Sequence, residues 1–412
     1  MTRCPSILPL MLVATCAFVS NLSVVHAETA EETANEILHD SGIRGGLIVH
    51  IGIGNGELTT ALKAGDAYQV HGLDTDAISV ARYRKLLTNS NKYGPISADR
   101  FDGKRLPYID NLLNLIVSAD LGDVGMDEVL RVLAPNGVAM IAGNGGWQKT
   151  IKPRPDNIDE WTHYLHDASG NAVAHDQVVG PPRHLQWVGS PRWARHHDRM
   201  ASMSALVSAG GRIFYVMDEG SRVSIQLPPR WTLIARDAFN GTVLWKRSIE
   251  SWQNHLWPLK SGPTQLARRL VAIDDKVYIT LGYRAPLVEL DAATGKTLRT
   301  FEDSNPTEEV VVQSGVLFAL VNKGIGELDE YAPKLNVGDQ ARVRKEFAWN
   351  EKERFVIAYD LQSGKTLWKR SSKVAPLTLS ADDQHAFIHD GEKIVALDRY
   401  TGNIKWASYP VT

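Results

Sequence analysis

The order of apolar and polar positions divides the chain into two textures. Ala34, Ile37 and Leu38 recur on one face of a helix over Glu28 to Ile43, which Gly42 ends as a C-cap. The apolar run Leu47-Ile48-Val49-His50-Ile51 then predicts a buried parallel strand, broken by a glycine turn and followed by a helix from Leu58. A second strand, Gln69 to Leu73, ends on Asp74, and a helix covers Ile78 to Leu87. Further on come a strand at Leu115–Ser118, a helix at Met126–Leu133, the break Pro135-Asn136-Gly137 and a strand at Val138–Ile141. Strands alternating with helices at this spacing predict a doubly wound parallel α/β sheet.

From Lys152 the pattern changes. Pro153 and Pro155 mark a linker, and short strands then follow one another without helices. A repeat D-x-x-x-G-x-x-x-W occurs at Asp237-Gly241-Trp245, Asp360-Gly364-Trp368 and Asp398-Gly402-Trp406. A fourth copy, Asp291-Gly295, has Arg299 in the tryptophan place. Each aspartate follows a strand, the D…G segment reads as a hairpin turn, and the tryptophan falls on the returning strand. The copies are 54, 69 and 38 residues apart, and the charged stretch Asn322 to Glu353 reads as an inserted loop. The expected layout is a leader over 1–27, an α/β domain over 28–150, a linker and propeller lead-in over 151–204, and all-β repeats over 205–412.

The turn after the first strand is Gly52-Ile53-Gly54-Asn55-Gly56-Glu57. Its G-x-G-x-G spacing departs from the dinucleotide fingerprint, which has a glycine where this chain has Glu57. A carboxylate there repels a pyrophosphate but suits a cationic sulfonium that carries an amino-acid tail. Asp74 follows Gly52 by 22 residues, close to the gap at which an acidic residue meets ribose hydroxyls in a βαβ unit.

Residues 45–142 resemble a class I S-adenosylmethionine (SAM)-dependent methyltransferase domain of the small type 11 kind. The features that carry this are the glycine loop, Asp74, Asp102-Gly103-Lys104-Arg105-Leu106-Pro107 with Asp110-Asn111, and Glu128-Val129-Leu130-Arg131-Val132-Leu133-Ala134-Pro135-Asn136-Gly137-Val138. The resemblance implies that Gly52, Gly54 and Gly56 cradle the methionine part of SAM, Asp74 the ribose and Asp102 the adenine amino group. Two departures stand out. His50 replaces the usual acid two residues before the first glycine. After Ile141 the chain leaves through Gly143-Asn144-Gly145-Gly146-Trp147, whereas a full domain of this class continues with two more strands.

The repeats resemble the quinoprotein-type, PQQ-like β-propeller, which implies that each tryptophan docks between neighbouring blades. About four blades are visible where that family usually has seven or eight. A truncated chain, a small propeller, or two chains sharing one ring would each account for this. The repeat aspartates and tryptophans read as structural, turn-forming and blade-docking.

Composition refines this picture. Over 412 residues, a hydrophobic content of 43% and a charged content of 22% are those of a multidomain globular protein. The net charge of −2 gives no electrostatic case for nucleic acid or an anionic membrane. Arg3, the apolar run Ile7–Val19 and Val25-His26-Ala27 make a secretory leader rather than a membrane span. A lipid-attachment box at Cys16 is the alternative. Both cysteines, Cys4 and Cys16, lie in that leader, so the mature chain has no disulfide or cysteine ligand, and its expected location is periplasmic or extracellular.

The histidines at 163, 166, 175, 184, 196 and 197 raise a metal site, with His163-x-x-His166 on one helical face and His196-His197-Asp198 arriving from elsewhere. No H-E-x-x-H or similar pairing occurs, so the expectation is no metal and histidines that hydrogen-bond loops around Trp161, Trp187 and Trp193. Arg192 to Arg199 reads as a solvated basic loop. The expected cofactor is SAM rather than PQQ. The expected function is methyl transfer, with the propeller presenting a protein or small-molecule partner. The alternatives are a non-catalytic envelope assembly protein with a vestigial Rossmann domain, and a PQQ-dependent dehydrogenase. No catalytic base is identified.

Overall fold

The computed structural model describes Met1 and residues 29–182, 185–190, 195, 202–224, 226–253, 264–324 and 349–410. The leader, apart from Met1, lies outside the described residues, as do His184, Trp193, His196 and His197.

Helix α1 (Ala30–Ser41) starts in a capping box between Thr29 and Glu32 and stops where Gly42 turns left-handed. It leads into a six-stranded sheet of β1 (Gly46–Ile51), β2 (Tyr68–Asp74), β3 (Ile96–Arg100), β4 (Leu113–Ser118), β5 (Leu133–Gly143) and β6 (Gly146–Ile151). The order is β3-β2-β1-β4-β5-β6, with β6 alone antiparallel. Alternate residues of each strand face opposite layers. Ile48, Val70, Leu115 and Val117 pack under α1, α2 (Glu57–Ala61) and α3 (Ala77–Asn89), where Ile37, Tyr83, Leu87 and the α2 C-cap Leu62 are fully buried or nearly so. Val49, Ile51, Leu73 and Ile116 face α4 (Met126–Val132) and the loops around Leu106 and Val124. The doubly wound α/β sheet expected from the pattern is present, with a second layer that has one short helix.

Two strands were not foreseen. β3, Ile96-Ser97-Ala98-Asp99-Arg100, has too few apolar residues to register as a buried run. The segment read as leaving the domain is a hairpin: Gly143 pairs with Gly146, Gly145 takes a left-handed φ of 110°, and β6 returns along β5. The sheet therefore gains its sixth strand directly after β5.

Among its described residues the second half forms four antiparallel four-stranded sheets. The first holds β7 (Met203–Ala209), β8 (Arg212–Asp218), β9 (Trp231–Asp237) and β10 (Val243–Ser248). The short helix α5 (Thr264–Ala267) leads to β11 (Leu270–Ile273), β12 (Lys276–Thr280), β13 (Leu287–Asp291) and β14 (Thr297–Thr300). Then come β15 (Thr307–Gln313), β16 (Val316–Val321), β17 (Glu353–Asp360) and β18 (Thr366–Lys373). The last sheet holds β19 (Ser380–Ala381), β20 (His385–His389), β21 (Ile394–Asp398) and β22 (Ile404–Ala407). The inserted loop falls between β16 and β17, with residues 325–348 outside the described set.

Successive sheets pack face to face through apolar layers, and β7, β11, β15 and β19 lie side by side as the inner strands. The repeat explains the stacking. Asp237, Asp291, Asp360 and Asp398 each accept backbone N–H groups of their own turn. The turn glycines are left-handed, and a Cβ at any of them would overlap a residue of the preceding segment. Trp245 lies against Gly295 and donates its Nε1–H to the Ala292 carbonyl at 2.9 Å. Arg299 lies against Gly364, and Trp368 against Gly402 with a 2.8 Å bond to the Arg399 carbonyl. Trp187, from the lead-in segment, occupies Gly241 in the same way.

The lead-in segment also crosses the inner strands. Ser208 N–H (β7) donates to the Trp161 carbonyl, Ala272 N–H (β11) to Thr162, Val312 N–H (β15) to His163 Nε2, and Ala381 N–H to Ala168. Residues 161–168 thus strap all four sheets together.

Candidate functional site

The turn after β1 is built from three left-handed glycines, with φ of 85° at Gly52, 58° at Gly54 and 86° at Gly56. A Cβ at Gly52 or Gly54 would meet open space, so backbone conformation fixes those two. At Gly56 it would overlap the buried Tyr83 ring, whose hydroxyl shares a 2.8 Å bond with Thr60. Gly56 then caps α2, and Asn55 accepts from Glu57 N–H at 3.0 Å while donating to the Glu57 carboxylate at 2.8 Å. The acidic side chain is thereby held at the helix start, where the dinucleotide pattern has glycine.

Asp74 ends β2 directly beside this loop. Its Oδ2 accepts from Ile53 N–H at 3.0 Å and its Oδ1 from Asp76 N–H at 2.9 Å. Each oxygen keeps a further lone pair for a ligand hydroxyl. Asp102 follows β3, and its Oδ1 accepts from Lys104 and Arg105 N–H, both at 2.8 Å. Phe101 N–H donates to the Asp74 carbonyl, which draws the two acidic positions together. Gly52, Gly54, Gly56, Asp74 and Asp102 are thus gathered at the carboxyl ends of the adjoining strands β1, β2 and β3. The strand order reverses between β1 and β4, the position where open α/β sheets bind ligands.

His50 does not occupy the place of a ligand-facing acid. Its buried ring bonds Thr59 Oγ1 at 2.7 Å and ties β1 to α2. Burial pulls its pKa down to about 4, with Asp74 opposing, so it is neutral at pH 7. His163 is likewise held down, to about 3, mainly by burial. Both resist a proton that the unfolded chain accepts below pH 6.5. Stability is therefore full above pH 6.5 and is lost as pH falls towards 4, on the order of 3 kcal/mol from His50. Denaturant titration across that range should show the loss, and His50→Gln should reduce it while leaving the part due to His163.

The helical pair that a metal-site reading would need at His163 and His166 is not formed. His163 and His166 face one another across an isolated β-bridge and share no helix. His163 Nε2 accepts from Val312 N–H at 3.0 Å, whereas the His166 ring meets Asp159 at 2.7 Å. Within the basic run, the expected solvated loop is corrected at Arg195, which is buried and paired with Asp218 at 2.6 Å.

The large cleft, about 880 Å³, is at the opposite edge of the sheet. It lies between the starts of β1, β4 and β5 and the turns of the first propeller sheet, and is lined by Arg44, Asn114, Asp159, His166, His175 and Asp237 among others. Asn114 bridges its walls, accepting from Leu47 N–H and donating to Asp237 at 2.7 Å, while Asn240 donates to Asn114 Oδ1. Nothing in local sequence marked Asn114, because its role depends on a partner 123 residues away.

With this geometry in place, residues 49–141 match the family model of a methyltransferase domain. Residues 333–408 match that of the outer membrane protein assembly factor BamB. The chain thus joins a methyltransferase-like domain to a BamB-like repeat domain. Among solved structures it is similar to a Methanococcus maripaludis protein described as an S-adenosyl-L-methionine-dependent methyltransferase. That match has 26% identity and a TM-score of 0.25, and covers 27% of this chain and 54% of that one. A SAM-dependent methyltransferase of Aquifex aeolicus matches at 17% identity and TM-score 0.24, over 26% and 62% of the two chains. BamB of Moraxella catarrhalis matches at 14% identity and TM-score 0.29, over 49% and 47%. The chain spans about half the length of the first of these structures. No curated protein matches it.

Proposed function

We propose that the methyltransferase domain binds SAM at the Gly52–Gly56 loop and transfers its methyl group to a partner presented by the repeat domain. The observation that carries this reading is the convergence of the loop, Asp74 and Asp102 at three adjoining strand ends beside the reversal of strand order. Open left-handed glycines leave room for the methionine part, and Asp74 has lone pairs for the ribose hydroxyls. Asp102 Oδ2 takes the adenine amino group. Glu57 at the helix start disfavours a pyrophosphate. With no base assigned, rate enhancement comes from holding donor and acceptor in line.

Export by the leader and an envelope location belong to the same reading, supported by the name of the matched assembly factor. Among the described residues no helix is long and apolar enough to cross a membrane. The partner surface is the open side of the fourth sheet. Trp406 there is 47% exposed, and the turn glycines of the four sheets are already covered by Trp187, Trp245, Arg299 and Trp368. Among the described residues, the turn glycines that a second copy would offer Trp406 are already covered in that copy.

Thermal melting of the protein with added SAM, S-adenosylhomocysteine or NAD⁺ tests the cofactor. The first two should raise the midpoint in a concentration-dependent way and NAD⁺ should not. A rise with NAD⁺ alone would overturn the reading.

A further inference from the structure

We propose that Asp159, His166 and His175 form a three-ligand site for a divalent first-row transition ion, Zn²⁺ in the first instance, facing the cleft between the two domains. Each offers one ligand atom, and these atoms lie within 4.8 Å of one another. Ligands held at about 2.1 Å from a tetrahedral zinc ion stand about 3.4 Å apart, so the 2.7 Å contact of His166 with Asp159 opens slightly and the third ligand moves in by about 1 Å. The exposed His175 supplies that movement, because among the described residues its ring has an edge contact with His166 to give up. The other two ligands are already fixed. Asp159 accepts from Glu160 N–H at 2.7 Å and His175 N–H at 2.6 Å. His166 sits at a left-handed φ of 70°, a strained backbone for a residue with a Cβ.

A second observation points to an ion rather than a closed hydrogen-bond cluster. The His166 side chain is 4% exposed, and its Nδ1 has no hydrogen-bond partner. While Nε2–H donates to Asp159, Nδ1 is a buried acceptor facing no donor, a costly state. Metal binding inverts this tautomer. The proton leaves Nε2 for Nδ1, Nε2 gives its lone pair to the ion, and Nδ1–H donates to Asp167 Oδ2, which already lies 3.4 Å away. No net proton is released from this ring. Asp167 is free for that part because Ser169 occupies its other oxygen at 2.9 and 2.6 Å. A carboxylate behind a ligating imidazole is the usual support of such sites. The site's open positions face a cleft that Arg44, Arg154 and Arg212 also line, which suits water or an anionic group.

The test is equilibrium dialysis of the chelator-treated full chain against Zn²⁺, with the visible absorption of bound Co²⁺ as a second readout. One ion per chain is expected, and His175→Ala, on an exposed side chain, should weaken binding more than tenfold. Asp167→Asn should weaken it by about tenfold while leaving one ion per chain. Failure to bind one ion, or equal affinity in His175→Ala, would overturn the site. Equal affinity in Asp167→Asn would overturn the tautomer exchange.

Discussion

Glu309→Ala should lower the stability of the repeat domain by about 3–5 kcal/mol, the largest single effect expected here. Glu309 and Arg268 are paired at 2.9 Å with side chains only 2% and 7% exposed. Burial pushes the Glu309 carboxyl up, while Arg268 and the Leu377 N–H at 2.5 Å hold it down. Arg268 in turn donates to the Leu379 carbonyl, so the pair links the second, third and fourth sheets. Removing the carboxylate leaves a guanidinium buried without its counter-charge, which is why the cost exceeds that of the contact itself. Glu309→Gln, which keeps an acceptor for Leu377, should lose less. Glu351→Ala removes the exposed pair with Lys373 at 3.5 Å and should cost under about 1 kcal/mol. Denaturant unfolding of the three variants checks the order, and equal losses at Glu309 and Glu351 would refute it.

The second large effect separates the glycines of the loop. Gly56→Ala should destabilise the N-terminal α/β domain by about 3 kcal/mol, through both the left-handed backbone and overpacking. The added methyl overlaps Tyr83, which cannot swing away because it is buried and bonded to Thr60. Gly54→Ala has a comparable backbone but open space around its methyl, and should cost only about 1–2 kcal/mol. Its methyl would instead project where the ligand is expected, so Gly54→Ala should weaken SAM binding in a folded protein. Chemical unfolding and ligand titration of the two variants read the stability and binding effects apart.

The fold was legible where local pattern and burial agree. Leu47–Ile51 and Leu115–Ser118 are continuous apolar runs because both faces of the sheet are covered, and the repeat showed its turns through Asp, Gly and Trp at fixed spacing. β3 was missed because an edge strand needs fewer apolar residues, and β6 because its turn glycines look like a chain leaving a domain. At the candidate site, the place of Asp74 follows from strand adjacency and could be read from spacing, whereas Asp102 is reached only through the family resemblance. The roles of His50, Tyr83 and Asn114 could not. His50 turns inward to Thr59, Tyr83 fills the space beneath Gly56, and Asn114 answers to the other domain. Each depends on a tertiary neighbour that no local window contains. The same holds for Asp159, His166 and His175, whose spacing matches no ligand motif yet whose side chains meet because the lead-in segment folds back on itself.

The central claim is that the loop between β1 and α2 holds SAM with the help of Asp74. Titration calorimetry of the protein with SAM, beside an Asp74→Asn variant of unchanged melting midpoint, tests it most directly. Saturable binding of one SAM per chain, weakened at least tenfold in the variant, is the predicted result. No heat at high SAM concentration, or equal affinity in the two proteins, would contradict it.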